Sequence, residues 1–152
     1  MKFWDASALM PLWRAETGSS SVLRLLSEDR RVQVWWGTRV ECNSALSRLI
    51  REGKIDAAAE AEVRADLGVL FRGADEVEPT EAIRALAERL LSRYALRAAD
   101  ALQLAAAITG CHSRTNQAEF VSLDQRLRAA ALGEGFAVLP IEYTQGGFSE
   151  RG

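Results

Sequence analysis

Short strand-like runs alternate with helical patterns along this chain, and four of the junctions between them carry an acid. Met1-Lys2-Phe3-Trp4 is an apolar run that ends on Asp5, and Ala6-Ser7-Ala8-Leu9 follows at once. Glu41 opens the apolar helix after Trp35-Trp36, Asp100 opens an Ala-rich helix over 101–109, and Asp124 follows Phe120-Val121-Ser122-Leu123. Strands that alternate with helices form a mostly parallel sheet, and the carboxyl ends of its strands open on one crevice. Acids at corresponding junctions are therefore placed to meet. A carboxylate cluster with no lysine nearby suits a hard divalent cation, Mg²⁺ or Mn²⁺.

The helical patterns can be placed by their apolar spacing. Residues 17–20 read as a turn and cap leading into a helix over 22–26, and 32–36 is β-branched and aromatic, hence a strand. Thr38 is read as the cap of a helix whose stripe is Cys42, Ala45, Leu46, Leu49 and Ile50. Residues 51–54 break that helix, and Ala59, Val63, Leu67, Leu70 and Phe71 mark the second arm of a helical hairpin. Residues 73–79 read as an acidic connection, and Asp75-Glu76-Val77-Glu78 as a charged loop. Ile83, Leu86, Ala87, Leu90 and Leu91 define a third amphipathic helix after Thr80-Glu81. The helix after Asp100 is small-sided nearly all round, so it should be central, with Gly110 ending it. A strand over 119–123, a helix over 125–132 and a last strand over 136–140 complete the domain. The expectation is one α/β domain over 1–142, three layers with a central mostly parallel sheet, the middle helices forming an insertion-like arm. Residues 143–152 are expected to be a loose, Gly-rich tail.

Charge and cysteine content narrow the setting. The chain has 152 residues and a net charge of −2, so overall charge does not advertise nucleic-acid binding. Of 19 basic residues only Lys2 and Lys54 are lysine; arginine forks suit phosphate, although codon usage accounts equally for that bias. Cys42 and Cys111 lie among apolar helical positions and read as reduced core thiols. No apolar run approaches a membrane span and no signal-peptide pattern opens the chain, so a cytoplasmic protein is expected.

Each acid also has a local explanation. Asp5 is either a costly buried charge held for function or a turn aspartate. Thr38-Arg39-Val40-Glu41 matches a capping box. Asp100 suits a first helical turn, and Asp124 an N-cap. Ser7 and Ser122 either hydrogen-bond the neighbouring carboxylates or serve as ordinary caps.

Taken in order, Asp5-Ala6-Ser7-Ala8-Leu9, the Glu41 helix, Ala98-Ala99-Asp100-Ala101-Leu102-Gln103-Leu104-Ala105 and Val121-Ser122-Leu123-Asp124-Gln125-Arg126-Leu127 resemble the motifs of PIN domains, in particular the toxins of bacterial toxin–antitoxin pairs. The resemblance runs to about Pro140. It implies a PIN-like sandwich and a Mg²⁺- or Mn²⁺-dependent endoribonuclease, commonly a homodimer, held inactive by a cognate antitoxin. It implies Asp5, Glu41, Asp100 and Asp124 as the acidic cluster that binds metal and catalyses. Ser122 stands where threonine is frequent and Gln103 where histidine is common. His112 is the sole histidine, which argues against a ribonuclease built on a histidine pair.

RNA would need a basic rim, for which Arg14, Arg39, Arg93, Arg97 and Arg126 are candidates, and Trp13 or Trp36 is placed either to stack a base or to pack in the core. Two other readings compete. A Mg²⁺-dependent phosphatase or phosphoacceptor would pair its acids with a lysine at a strand end, which neither Lys2 nor Lys54 matches. An interaction module that kept the fold has no need of acids at several strand ends.

Overall fold

Along each strand, successive side chains enter opposite cores. Phe3, Trp35 and Phe120 point to one face of the sheet, and Trp4, Val34 and Val121 to the other. Strands buried on both faces in this way must be covered by helices on both sides. In the computed structural model, which describes residues 1–13 and 18–141, that is the arrangement.

The strands are β1 (Lys2–Trp4), β2 (Val32–Trp35), β3 (Asp75–Val77), β4 (Glu119–Val121) and β5 (Ala137–Leu139). They form one five-stranded sheet in the order β3-β2-β1-β4-β5, with every pair parallel. Helices α1 (Ala6–Leu9), α2 (Ser19–Glu28), α3 (Thr38–Arg51) and α4 (Ala57–Gly73) cover the Trp4 face through Leu9, Val22, Leu46, Leu67 and Phe71. Helices α5 (Glu81–Arg93), α6 (Ala98–Gly110) and α7 (Gln125–Gly133) cover the Phe3 face through Ile83, Leu90, Leu104 and Leu127. The α/β three-layer expectation holds.

Two expectations are corrected. Residues 75–77 are not a charged loop. They form the edge strand β3, in register with β2 through Gln33↔Asp75, Val34↔Glu76 and Trp35↔Val77. An edge strand tolerates acids because its outer side meets water. The middle helices are not an arm either: α3 and α4 are buried against one face and α5 against the other. Both cysteines are free, and burial pushes the Cys42 thiol up to about 12. Arg14 and the tail over 143–152 lie outside the described residues. No helix among the described residues is long and apolar enough to cross a membrane.

From β1 the chain winds outward to β2 and β3, then returns to the other side of β1 for β4 and β5. The direction of winding therefore reverses between β1 and β4. In open α/β sheets that reversal opens a crevice at the carboxyl ends of the strands. Asp5 leaves β1 there, and Ser122, Leu123 and Asp124 leave β4.

Candidate active site

Asp5 ends β1 and caps α1, its backbone in extended conformation and its carboxylate accepting the Ala8 N–H at 3.2 Å. Only 4% of the residue is exposed. Its Oδ1 accepts the Ser7 hydroxyl at 2.7 Å and its Oδ2 the Ser122 hydroxyl at 3.0 Å. Burial pushes its pKa up to about 7, against the lowering effect of these three hydrogen bonds, and the charge of Glu41 raises it further.

The two serines stitch β1 to β4. Ser7 Oγ also accepts the Leu123 N–H at 2.9 Å, and Ser122 Oγ accepts the Asp124 N–H at 3.1 Å. Of the two roles open to Ser122 from sequence, its hydroxyl does hydrogen-bond a carboxylate, that of Asp5 across the sheet and not that of neighbouring Asp124. Asp124 Oδ1 caps α7 by accepting the Leu127 N–H at 2.9 Å, so the local explanation of this acid is realised.

Glu41 reaches the crevice from α3. The turn from β2 into that helix needs Gly37, because a Cβ there would stand 2.5 Å from Trp35 Nε1. Gly37, not Thr38, is the cap residue, and Thr38 is the first residue of the helix. The capping box that the Thr38–Glu41 spacing offers as the local alternative does not form. Glu41 Oε1 accepts instead from Gln103 Nε2 on α6 at 2.9 Å, and Gln103 is itself bonded to the Thr38 hydroxyl at 3.0 Å. Burial raises the Glu41 pKa to about 6, opposed by the Gln103 bond, with a further rise from Asp100.

Asp100 occupies the first turn of α6, where its Oδ2 accepts the Arg97 N–H at 3.4 Å. It is half-buried; burial and the charge of Asp124 raise its pKa, while Arg97 and Arg126 lower it. Arg97, Ala99, Asp100, Asp124, Gln125 and Arg126 line an open cleft of about 380 Å³.

The four acids thus act on one another in sequence: Asp5 on Glu41, Glu41 on Asp100, Asp100 on Asp124. Yet among the described residues no three His, Cys, Asp or Glu side chains converge on a common metal position. The donor set nevertheless fits Mg²⁺ or Mn²⁺ in kind, being all carboxylate oxygen, with Asp5 and Glu41 pushed toward neutral pKa values mainly by burial and further by a neighbouring acid, Glu41 for Asp5 and Asp100 for Glu41.

The remaining expectations sort clearly. Lys2 pairs with Asp29 at 4.0 Å and Glu119 at 3.6 Å, and Lys54 with Glu52 at 2.8 Å, so neither lysine serves the acids. Arg39 lies over the Phe71 ring at 5.5 Å, and Arg93 pairs with Glu134 at 2.7 Å, at the far end of α7 from Asp124. Arg97 and Arg126 remain on the cleft. Trp13 packs against the core, whereas Trp36, half exposed, follows β2 directly. His112 is exposed in a left-handed turn (φ 54°) at the opposite end of α6 from Asp100.

One residue escaped the sequence reading. Arg128 on α7 donates to the carbonyls of Ser122 at 2.7 Å, Leu139 at 3.0 Å and Pro140 at 2.7 Å. It clamps the carboxyl ends of β4 and β5 beside the crevice. Its only sequence signal was an arginine placed four residues after an N-cap acid.

Solved structures share this architecture. PAE2754 from Pyrobaculum aerophilum is similar at 19% identity and a TM-score of 0.60, over 90% of this chain and 81% of that one. VapC20 of Mycobacterium tuberculosis, a sarcin-ricin loop cleaving toxin, is similar at 18% identity and a TM-score of 0.59, over 86% of this chain and 95% of that one. No curated protein matches the sequence. The family model of the PIN domain matches residues 2–133, nearly the whole described fold, and the chain belongs to the PIN-domain family.

Proposed function

We propose that this PIN domain is a Mg²⁺- or Mn²⁺-dependent endoribonuclease and the toxin of a cytoplasmic toxin–antitoxin pair, with Asp5, Glu41, Asp100 and Asp124 as its metal-binding and catalytic acids. PIN domains are nucleases, and the likeness to a toxin that cleaves the sarcin-ricin loop supports the choice of RNA. The observation that carries the reading is Asp5: a carboxylate 4% exposed at the switch point of the sheet, held by two hydroxyls and acted on by the charge of Glu41 instead of a lysine. Burying such a group without a cationic partner is costly for folding, and a bound cation would relieve that cost.

A bound divalent cation would supply Lewis acidity and charge neutralisation at the scissile phosphate. The protein's own groups do the rest. Ser7 and Ser122 fix the Asp5 carboxylate in one orientation. Gln103 does the same for Glu41. Arg97 and Arg126, on either side of Asp100 and Asp124, hold the phosphates that flank the cut. Water attacks phosphorus, the bond from phosphorus to the 3′ oxygen breaks, and that oxygen takes up a proton. A homodimer and a cognate antitoxin segment that places an arginine among the acids complete the proposal.

End-group analysis tests the chemistry. Fragments made by the purified protein should carry 5′-phosphate and 3′-hydroxyl ends. Cyclic 2′,3′-phosphate ends would mean attack by the ribose hydroxyl and would overturn this mechanism.

A further inference from the structure

Gln103 is a neutral side chain at the middle of an acidic site. It is 1% exposed and Thr38 is fully buried, so water does not reach either group. Thr38 Oγ1 lies 3.0 Å from Gln103 Nε2 and 3.3 Å from Oε1, and Nε2 donates to Glu41 Oε1 at 2.9 Å. The carboxylate fixes the orientation of the amide. A flipped amide would turn its oxygen toward the Glu41 carboxylate and forfeit the bond between them. The influences acting on the Glu41 carboxyl are burial, Gln103 and Asp100, none of them a cation.

The placement on α6 gives this contact a second consequence. Asp100 and Gln103 are three residues apart and lie on the same side of the helix. The amide therefore ties Glu41, on α3, to the helix that carries Asp100. Asp100 and Glu41 carry like charges when both are ionised, and the Gln103 contact holds α3 to α6 beside them with a donor that brings no positive charge to compete with a cation.

Resting on the metal-site reading above, we infer that Gln103 is a positioning residue that sets the spacing between Glu41 and Asp100 for a divalent cation. It is not a catalytic residue, since it acts only through Glu41.

Mn²⁺ binding to the whole protein, read by calorimetry and by the Mn²⁺ paramagnetic resonance spectrum, tests this without any RNA. Gln103→Met keeps the length of the side chain and removes the donor. Its Mn²⁺ affinity should fall by about 10-fold or more, the scale for loss of an outer partner of a metal ligand. Gln103→His returns an N–H donor and should recover most of the loss. Leu46→Ala, at a fully buried apolar position on α3, controls for instability: it should lower the melting temperature and leave Mn²⁺ affinity unchanged. Equal Mn²⁺ affinity in Gln103→Met and the unmodified protein would overturn the role of Gln103 alone. So would an equal loss in Leu46→Ala. Absence of Mn²⁺ binding by the unmodified protein would overturn the metal-site reading and this inference with it. Should Gln103→Met fail to fold, Gln103→His decides: affinity far below that of the unmodified protein would contradict a role that needs only a donor.

Discussion

Ser122 Oγ donates to Asp5 Oδ2 at 3.0 Å, joining the carboxyl ends of β4 and β1 across 117 positions of sequence. The same oxygen accepts the Asp124 N–H at 3.1 Å. One hydroxyl thus sets both an acid at the switch point and the start of the helix that bears another. Ser122→Ala should reduce cleavage by about 10- to 100-fold, as loss of an outer partner of a metal ligand does. It should cost about 1–3 kcal/mol of stability, the penalty for leaving a buried polar group unpaired. Urea unfolding and initial cleavage rates measure the two. Full activity in Ser122→Ala would show that Asp5 needs no such support.

The raised pKa values predict an unusual pH dependence for the metal-free protein. Asp5 stands at about 7 against an ordinary 3.8, and Glu41 at about 6 against 4.5. Between those limits the native state holds protons that the unfolded chain has released, so stability falls as pH rises from about 4 to about 7 and levels off above. Asp5→Asn removes the larger part of that slope. Its melting temperature should exceed that of the unmodified protein by a margin that grows from pH 4.5 to pH 7.5. Saturating Mg²⁺ should shrink the margin by stabilising only the protein that keeps its acid. Parallel melting curves across this range would contradict the buried ionisable Asp5.

Arg97, the N-cap residue of α6, and Arg126, in the first turn of α7, flank the cleft. If they hold backbone phosphates, each substitution to alanine should weaken RNA binding without regard to sequence. Each should also lower the slope of log affinity against log salt by about 1. Filter binding in Ca²⁺, or with Asp5→Asn, separates affinity from cleavage. Arg93→Ala serves as the comparison, since Glu134 holds that guanidinium away from the cleft.

Arg128 binds three carbonyls at the ends of β4 and β5. Arg128→Met keeps the aliphatic packing and frees those carbonyls. Hydrogen bonds from a charged donor contribute about 1.5–3 kcal/mol each, with partial recovery by water, so a loss of about 2–4 kcal/mol is expected in urea unfolding.

The parts of the fold legible in sequence were those set by local pattern. Phe3-Trp4, Val32 through Trp35 and the stripe of α3 announce themselves because burial on defined faces demands those residue types. Strand β3 did not, because Asp75-Glu76-Val77 has no strand-like local pattern; its conformation comes from long-range pairing with β2, in which Gln33 Nε2 donates to Asp75 Oδ2 at 2.9 Å. The site divides the same way. Asp5, Glu41, Asp100 and Asp124 could be placed at junctions from the alternation of elements. What each side chain does could not. Thr38 and Glu41 carry the spacing of a capping box, yet a donor 62 positions away takes the glutamate. Gln103 looked like a departure from pattern, and its meaning lies in that long-range contact. Asp124 was the reverse: its local role as a cap was both legible and realised.

The central claim is that Asp5 and a divalent cation together make this PIN domain a ribonuclease. Cleavage of a labelled total-RNA pool by the purified protein, in Mg²⁺, Mn²⁺ or EDTA, beside Asp5→Asn, tests it most directly. Discrete fragments that vanish in EDTA, and that fall by more than about 100-fold in a folded Asp5→Asn protein, are predicted. Fragments that persist in EDTA, or that Asp5→Asn yields at the unmodified rate, would contradict the account.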